Sequence, residues 1–327
     1  MFISSKHQRS SKLALATFIL AFVVILLGAY TRLTDAGLSC PDWPNCYGYF
    51  TAPHTPSQLQ VAAQHYSASP INVKKAWIEM THRYFAGTEG ILILMLVVSL
   101  LFHRKTKEMK SPLIASALIL LLGIQIMLGM LTVTEKLRPV IVLAHLITGL
   151  SLLGTLWWAY LNSYLRTDSF NRKLGPDIIP WFWGAFIIVA IQIALGGWVS
   201  THYAGLACID FPYCNGTILP TMHWGHLNSH LITIHMLHRI GAFITAVYLG
   251  ILGFKLLTYP TFKFIGFSIL ALITMQITLG ILNIIWLRPV WLALTHHMVA
   301  ILLLLTTLTL LIKIPFTTER RYGSWTA

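Results

Sequence analysis

The chain has 327 residues, of which 56% are hydrophobic and only 10% charged, whereas soluble domains carry about 25% charged residues. That composition excludes a soluble globular domain. A net charge of +13 would suit nucleic acid, but the basic residues are distributed as membrane topology requires, and no nucleic-acid module, phosphate-cradling Gly loop or nucleophile triad is present.

Eight apolar runs are long enough to cross a ~30 Å hydrocarbon layer as helices of roughly 20 residues, and a helix satisfies its own backbone in lipid. They cover about 12–31, 78–102, 112–134, 139–161, 180–201, 231–257, 262–286 and 290–314. The first run is not read as a cleaved signal: it is long and no A-x-A site follows it. It continues into Thr31-Arg32-Leu33-Thr34 and then into a loop with Cys40-x5-Cys46.

With the N-terminus inside, the inner segments hold Lys6, Arg9, Lys12, Arg104, Lys105, Lys107, Lys110, Arg166, Arg172, Lys173, Lys255, Lys263, Lys313, Arg320 and Arg321. The outer segments hold fewer: Arg32, Lys74, Lys75, Lys136, Arg138 and Arg288. This positive-inside asymmetry puts both termini in the cytoplasm. A multi-pass protein of the cell (cytoplasmic) membrane is expected, with a mitochondrial inner membrane as the second choice, because no transit-peptide pattern precedes the first run.

The chain repeats itself. Gly28, Gly37, Cys40 and Cys46 recur 168 residues later as Gly196, Gly205, Cys208 and Cys214. Thr-His82-Arg83 answers Leu-His238-Arg239, Gln125-Ile-Met-Leu-Gly129 answers Gln276-Ile-Thr-Leu-Gly280, and Ala-His145-Leu answers Thr-His296-His297. Four spans per repeat give both halves the same orientation, as in parallel-repeat membrane proteins. The expected fold is therefore an all-α integral membrane protein of eight transmembrane helices. They form two tandem four-helix bundles related by a pseudo-two-fold axis along the membrane normal. The N-terminal repeat covers residues 1–165, the C-terminal repeat 176–315, and 316–327 form a cytoplasmic tail.

Both cysteine pairs fall in outer loops, where thiols remain oxidised. Local disulfides Cys40–Cys46 and Cys208–Cys214 are the leading expectation; pairing across loops, a zinc site and redox cycling of the first pair stay open. His145 lies seven residues past Arg138 and His296 eight past Arg288, roughly 10–12 Å along their helices. His82 stands near the outer start of its own helix. Two imidazoles at comparable depth in each half suit bis-His ligation of a haem iron placed edge-on between helices. His297 leaves the ligand register open, but aligning Ala144-His145 on Thr295-His296 favours His296. Arg83, Arg239, Arg138 and Arg288 are candidates for binding propionates, with snorkelling to the interface as the alternative for the last two. Glycines 28, 123, 129, 196, 197 and 280 would admit a flat ligand or close helix packing.

The halves differ one turn before the first histidine. Glu79 precedes His82 by three residues, on nearly the same helix face, whereas His235 precedes His238. A carboxylate at the edge of a haem pocket can accept a proton or stabilise positive charge, which assigns chemistry to the first pocket and electron transfer to the second. Pairing of Glu79 with Arg83 at i,i+4 is the structural alternative. Histidines 202, 223, 226 and 230 lie in or beside outer loop three. The 223/226/230 spacing places three imidazoles along one helical stripe, read as the polar face of an interfacial helix with copper or zinc binding as the alternative. Asp42 and Asp210 read as turn residues.

Taken together, Thr31-Arg-Leu-Thr-Asp-Ala-Gly-Leu-Ser-Cys40, Glu79-Met-Thr-His82-Arg83, Ala144-His-Leu-Ile-Thr-Gly149, His235-Met-Leu-His238-Arg239 and His296-His-Met-Val-Ala300 resemble the haem A synthase family over nearly the whole chain. The resemblance implies oxidation of the C8 methyl group of haem O to a formyl group by successive hydroxylations, giving haem A for cytochrome oxidase. It implies haem O as substrate between His82 and His145, haem b as cofactor between His238 and His296, and a catalytic role for Glu79. The partners implied are the lipid bilayer, haem O, haem O synthase and an electron donor such as quinol, with a homo-oligomer left open. The rivals are a di-haem b-type cytochrome taking electrons from quinol, and a transporter, which would leave four matched histidines without a purpose.

Overall fold

The computed structural model describes residues 5–66, 71–102, 110–164, 176–226 and 230–318. Among them lie nine α-helices: α1 (Ser5–Leu33), α2 (Pro56–His65), α3 (Val73–Phe102), α4 (Lys110–Thr134), α5 (Pro139–Tyr164), α6 (Ile179–Thr201), α7 (Leu231–Leu257), α8 (Lys263–Ile285) and α9 (Val290–Thr318). All except α2 are long and apolar enough to cross a membrane. The chain is thus an all-helical membrane protein, as its composition requires. The tail assigned to 316–327 lies mostly outside the described residues.

Backbone contacts divide the chain into Met1–Ser163 and Tyr164–Ala327. In the first unit α1 packs along α3, and α3 along α4. The Ser10 and Ser99 hydroxyls meet at 2.8 Å near the end of the α1–α3 seam that holds the start of α1. Phe18 and Trp157, with ring centroids 4.9 Å apart, join α1 to α5.

The helices extend beyond the apolar runs. α3 starts at Val73 rather than 78 because its first turn, Val-Lys-Lys-Ala, is polar enough to protrude from hydrocarbon while remaining helical. The short helix α2 was not anticipated, since its mean hydropathy is low. Its start is nonetheless written in the sequence: Thr55 accepts from the Gln58 amide and Gln58 reaches back to the Thr55 amide, a capping box with Pro56 at the first position. Cys40, Cys46, Tyr47, Ala52, Ala62, Ala76 and Met80 form one apolar cluster that fixes outer loop one to α2 and the start of α3.

In the second unit the neighbours α6–α7, α7–α8, α8–α9 and α6–α9 close a four-helix ring. The α7–α8 approach depends on paired glycines, since a methyl group at Gly266 would lie 2.8 Å from the Gly253 carbonyl oxygen. Near the end of α7, Lys255 sits 5.0 Å from the Trp181 ring centroid, a cation–π contact suited to the lipid interface.

Candidate functional site

Each of the four matched histidines stands against a glycine of the adjacent helix. A methyl group at Gly28 on α1 would lie 2.9 Å from Cε1 of His82 on α3, and one at Gly129 on α4 would lie 3.4 Å from Cε1 of His145 on α5. In the second unit the same distances are 3.1 Å for Gly196 and His238, and 3.3 Å for Gly280 and His296. The helices therefore approach closely enough to wedge each ring between backbone and neighbour, which restricts its rotation. His82 and His145 are close enough to interact electrostatically, as are His238 and His296. The two imidazoles of a unit thus share one interior space.

Glutamines support the outer pair. Gln125 Nε2 lies 3.4 Å from His145 Nε2, and Gln276 Nε2 lies 3.3 Å from His296 Nε2. These are long contacts, at the edge of hydrogen bonding. Nδ1 of His82, His145 and His296 is buried with no hydrogen-bond partner among the described residues. His238 differs: Gln192 Nε2 lies 3.0 Å from its Nδ1 and also donates to its carbonyl at 3.0 Å. Val24, at the position of Gln192 in the first unit, cannot do this. The structure brings His296, not His297, to Gly280 and Gln276; Nε2 of His297 is buried with no partner among the described residues.

The cysteines form the disulfides Cys40–Cys46 and Cys208–Cys214. Each closes a loop that an aspartate caps from within. Asp42 accepts from the amides of Tyr47 (2.6 Å) and Gly48 (2.8 Å), and Asp210 from those of Asn215 (2.6 Å) and Gly216 (2.8 Å). These carboxylates let Tyr47 and Asn215 adopt positive φ before their glycines. Burial, aided by the Glu79 and Asp42 carboxylates, raises the Tyr47 phenol above its ordinary 10.0, so it stays neutral beneath the loop.

Arg83 and Arg239 turn to these loops. Arg83 Nη1 donates to the carbonyls of Asp42 (2.9 Å), Pro44 (3.2 Å) and Asn45 (2.6 Å). Arg239 donates to Tyr213 (2.8 Å), Cys208 (3.2 Å) and Asp210 (3.1 Å). The guanidinium is thus the peg that fastens each disulfide loop over its histidine, a role that the spacing of the motifs does not reveal. Arg138 is exposed at the outer boundary, and Arg288 is half-buried against Gly205.

Glu79 is 4% exposed. One oxygen accepts from Arg83 at 2.5 Å, and the other from the Cys40 amide at 2.9 Å. His235 occupies the corresponding place in the second unit, buried with Nδ1 unpartnered, and Arg239 Nε is likewise unpartnered. The i,i+4 pair with Arg83 therefore exists, and it holds the carboxylate one turn outward of His82.

The stripe expected of His223, His226 and His230 does not form. His223 lies in irregular backbone, and His230 is the extended N-cap of α7, accepting from the Thr233 amide. The His223 and His230 rings instead meet at a tilt, with centroids 4.4 Å apart. No group of three or more metal-ligating side chains occurs among the described residues.

The fold and site define a class: an eight-span membrane protein whose two units each enclose a pair of apolar-buried imidazoles. A family model described as cytochrome oxidase assembly protein, COX15-CtaA, matches residues 11–308, and the chain belongs to that family. It is similar to a protein named "Heme A synthase" from Shewanella oneidensis, 38% identical over 311 residues, covering 90% of this chain and 93% of the relative. Proteins of the same name from Ehrlichia canis (27% identical, 86% of each chain) and Paramagnetospirillum magneticum (26%, 91% of each) are also similar.

Proposed function

We propose that this chain makes haem A from haem O, oxidising the C8 methyl group to a formyl group by successive hydroxylations in the first unit. One observation carries the division of labour. The units match in histidines, glycines, disulfides and loop-gripping arginines, yet only the first places a carboxylate one turn from its histidine.

The donor set suits haem in both units. Each offers two imidazoles in apolar surroundings, seated against glycines that admit the rings, and nitrogen donors of this kind suit haem iron. His82 and His145 would hold the substrate. His238 and His296 would hold a haem b, which supplies one-electron transfer when bound. Gln192, whose Nε2 lies 3.0 Å from His238 Nδ1, fixes that ring's orientation through a contact that the first unit lacks. A resident cofactor needs a permanent setting; a substrate must leave.

Glu79 is placed to take up a proton at its carboxylate oxygens as the substrate is oxidised, with Arg83 balancing its charge. The disulfide loop, fastened by Arg83 and packed through Tyr47, shields this end of the pocket from bulk water. Arg138 and Arg288, whose side chains are not committed to the loop carbonyls, are the better candidates for meeting propionates. Both termini would lie in the cytoplasm of the cell membrane, with a quinol or other donor supplying electrons.

The test is haem analysis of cells that carry a haem O synthase, with and without this chain. Haem A should appear only when the chain is present. Bound b-type haem with no haem A formed would favour the di-haem cytochrome instead.

A further inference from the structure

One ionisable group in the first unit has no role in the scheme above. Glu89 stands near the middle of α3, is 8% exposed, and makes no hydrogen bond or ion pair among the described residues. A carboxyl buried at mid-membrane is costly unless it serves a ligand or a partner.

Its position is informative. Glu79, His82, Ala86, Glu89, Ile93 and Leu96 follow the spacing of one helical stripe, and none of them is exposed. Glu89 is seven residues inward of His82, about 10 Å along the axis. The α1–α3 seam is anchored by Gly28 against His82 and by Ser10 against Ser99. Interpolating between these contacts sets Glu89 beside Ala21, a small residue that is 1% exposed. Glu89 therefore stands two turns from His82 on the same face of α3. The second unit has Thr245 at the matching position, and its hydroxyl is satisfied by the Gly241 carbonyl at 2.7 Å. Only the first unit carries a carboxyl there.

With its two carboxylates turned toward the Arg138 end of the bundle, a haem held by His82 would present its opposite edge toward Glu89. In haem O that edge bears a hydroxyethylfarnesyl chain, whose hydroxyl adjoins the ring; haem B has a plain vinyl group there. We propose that Glu89 is a specificity-determining residue that accepts a hydrogen bond from this hydroxyl, selecting haem O over haem B. This rests on the reading that the first unit is the substrate pocket. A buried acceptor built for a hydroxyl rejects a ligand lacking it, because the acceptor is then left unpaired.

The test uses the purified full chain with its resident haem, titrated with ferric haem O and ferric haem B and followed by the absorbance change on bis-imidazole ligation. The native protein should prefer haem O by about tenfold or more. Glu89→Leu should cut that preference by about tenfold, leaving only what the apolar chain contributes, and Glu89→Gln, which keeps an acceptor and nearly the same shape, should retain more of it. A Glu89→Leu protein with the native preference, or a native protein with none, would overturn the proposal. So would Glu89→Gln and Glu89→Leu proteins that lose turnover at unchanged preference, since Glu89 would then be relaying protons. His82→Ala separates the two ideas: if it leaves the haem O titration unchanged, the first unit is not the substrate pocket, and the underlying reading fails instead.

Discussion

Glu79 and Cys40 are joined by a hydrogen bond from the Cys40 amide to the Glu79 carboxylate, 2.9 Å long and bridging 39 residues of sequence. With the Arg83 contact at 2.5 Å, it fixes the carboxylate at the junction of α3 and the disulfide loop. A carboxylate so held is pre-aimed, and its charge is balanced before any substrate arrives. The Cys40–Cys46 bond thus serves the proposed chemistry indirectly, by fixing the amide that orients Glu79.

Replacing Glu79 by alanine would leave the Arg83 guanidinium without its anionic partner, and breaking a buried pair from one side costs about 3–5 kcal/mol. Glu79→Gln is the cleaner variant, because it keeps the shape and an acceptor for Cys40. We expect Glu79→Gln to retain both haems by absorbance and to lose haem A formation by about 10²-fold or more, the usual range for a proton-transferring group. Wild-type product yield from a haem-loaded Glu79→Gln protein would remove the carboxylate from the mechanism.

The glycine contacts give a graded prediction. An added methyl at Gly28 comes to 2.9 Å from His82, whereas at Gly129 it comes to 3.4 Å from His145, an ordinary contact. Overpacking of the first kind costs about 1–3 kcal/mol and would tilt the His82 ring. Gly28→Ala should weaken haem binding in the first unit by about tenfold or more, while Gly129→Ala stays near wild type. Equal losses in the two variants, measured by haem titration, would show that the clearance at Gly28 is not what sets the ring.

Much of this was legible in the sequence because the duplication supplied an internal control. Spacings of 168 and 151 residues correctly matched disulfide to disulfide and Gln125 to Gln276, which meet His145 and His296 in the same way. Periodicity could not show what Arg83 and Arg239 hold, since their partners are carbonyls of loops some 26–41 residues away. Glu89 was hidden for a different reason: one charge in a long apolar run does not disturb the helix signal. The loop-three histidines misled because a three-and-four spacing makes a stripe only if the backbone is helical, and His230 is an N-cap.

His296 and His297 are adjacent, both half-buried, and chemically equivalent as ligands, so their surroundings must decide between them. His296 meets Gly280 and Gln276 as His145 meets Gly129 and Gln125. His296→Ala should abolish the low-spin haem of the second unit, and His297→Ala should leave its spectrum in place. The opposite pattern would shift the ligand register by one residue.

Asp210 makes the second disulfide loop sensitive to acid. Its carboxyl is held below the ordinary 3.8, first by the Gly216 amide, then by the Asn215 amide and the nearby Arg239. A depressed value means that the ionised form is favoured by folding. The stabilisation is therefore fully present above 3.8 and is lost as pH falls through the lower folded value. Hydrogen exchange of the Asn215 and Gly216 amides should stay slow, relative to their intrinsic rates, down to pH 3.8 and lose protection below it. Asp210→Asn should show weaker protection with no change across the same window, because an amide can still accept but does not titrate. Uniform protection in the native chain throughout the acid range would show that the disulfide alone holds the turn.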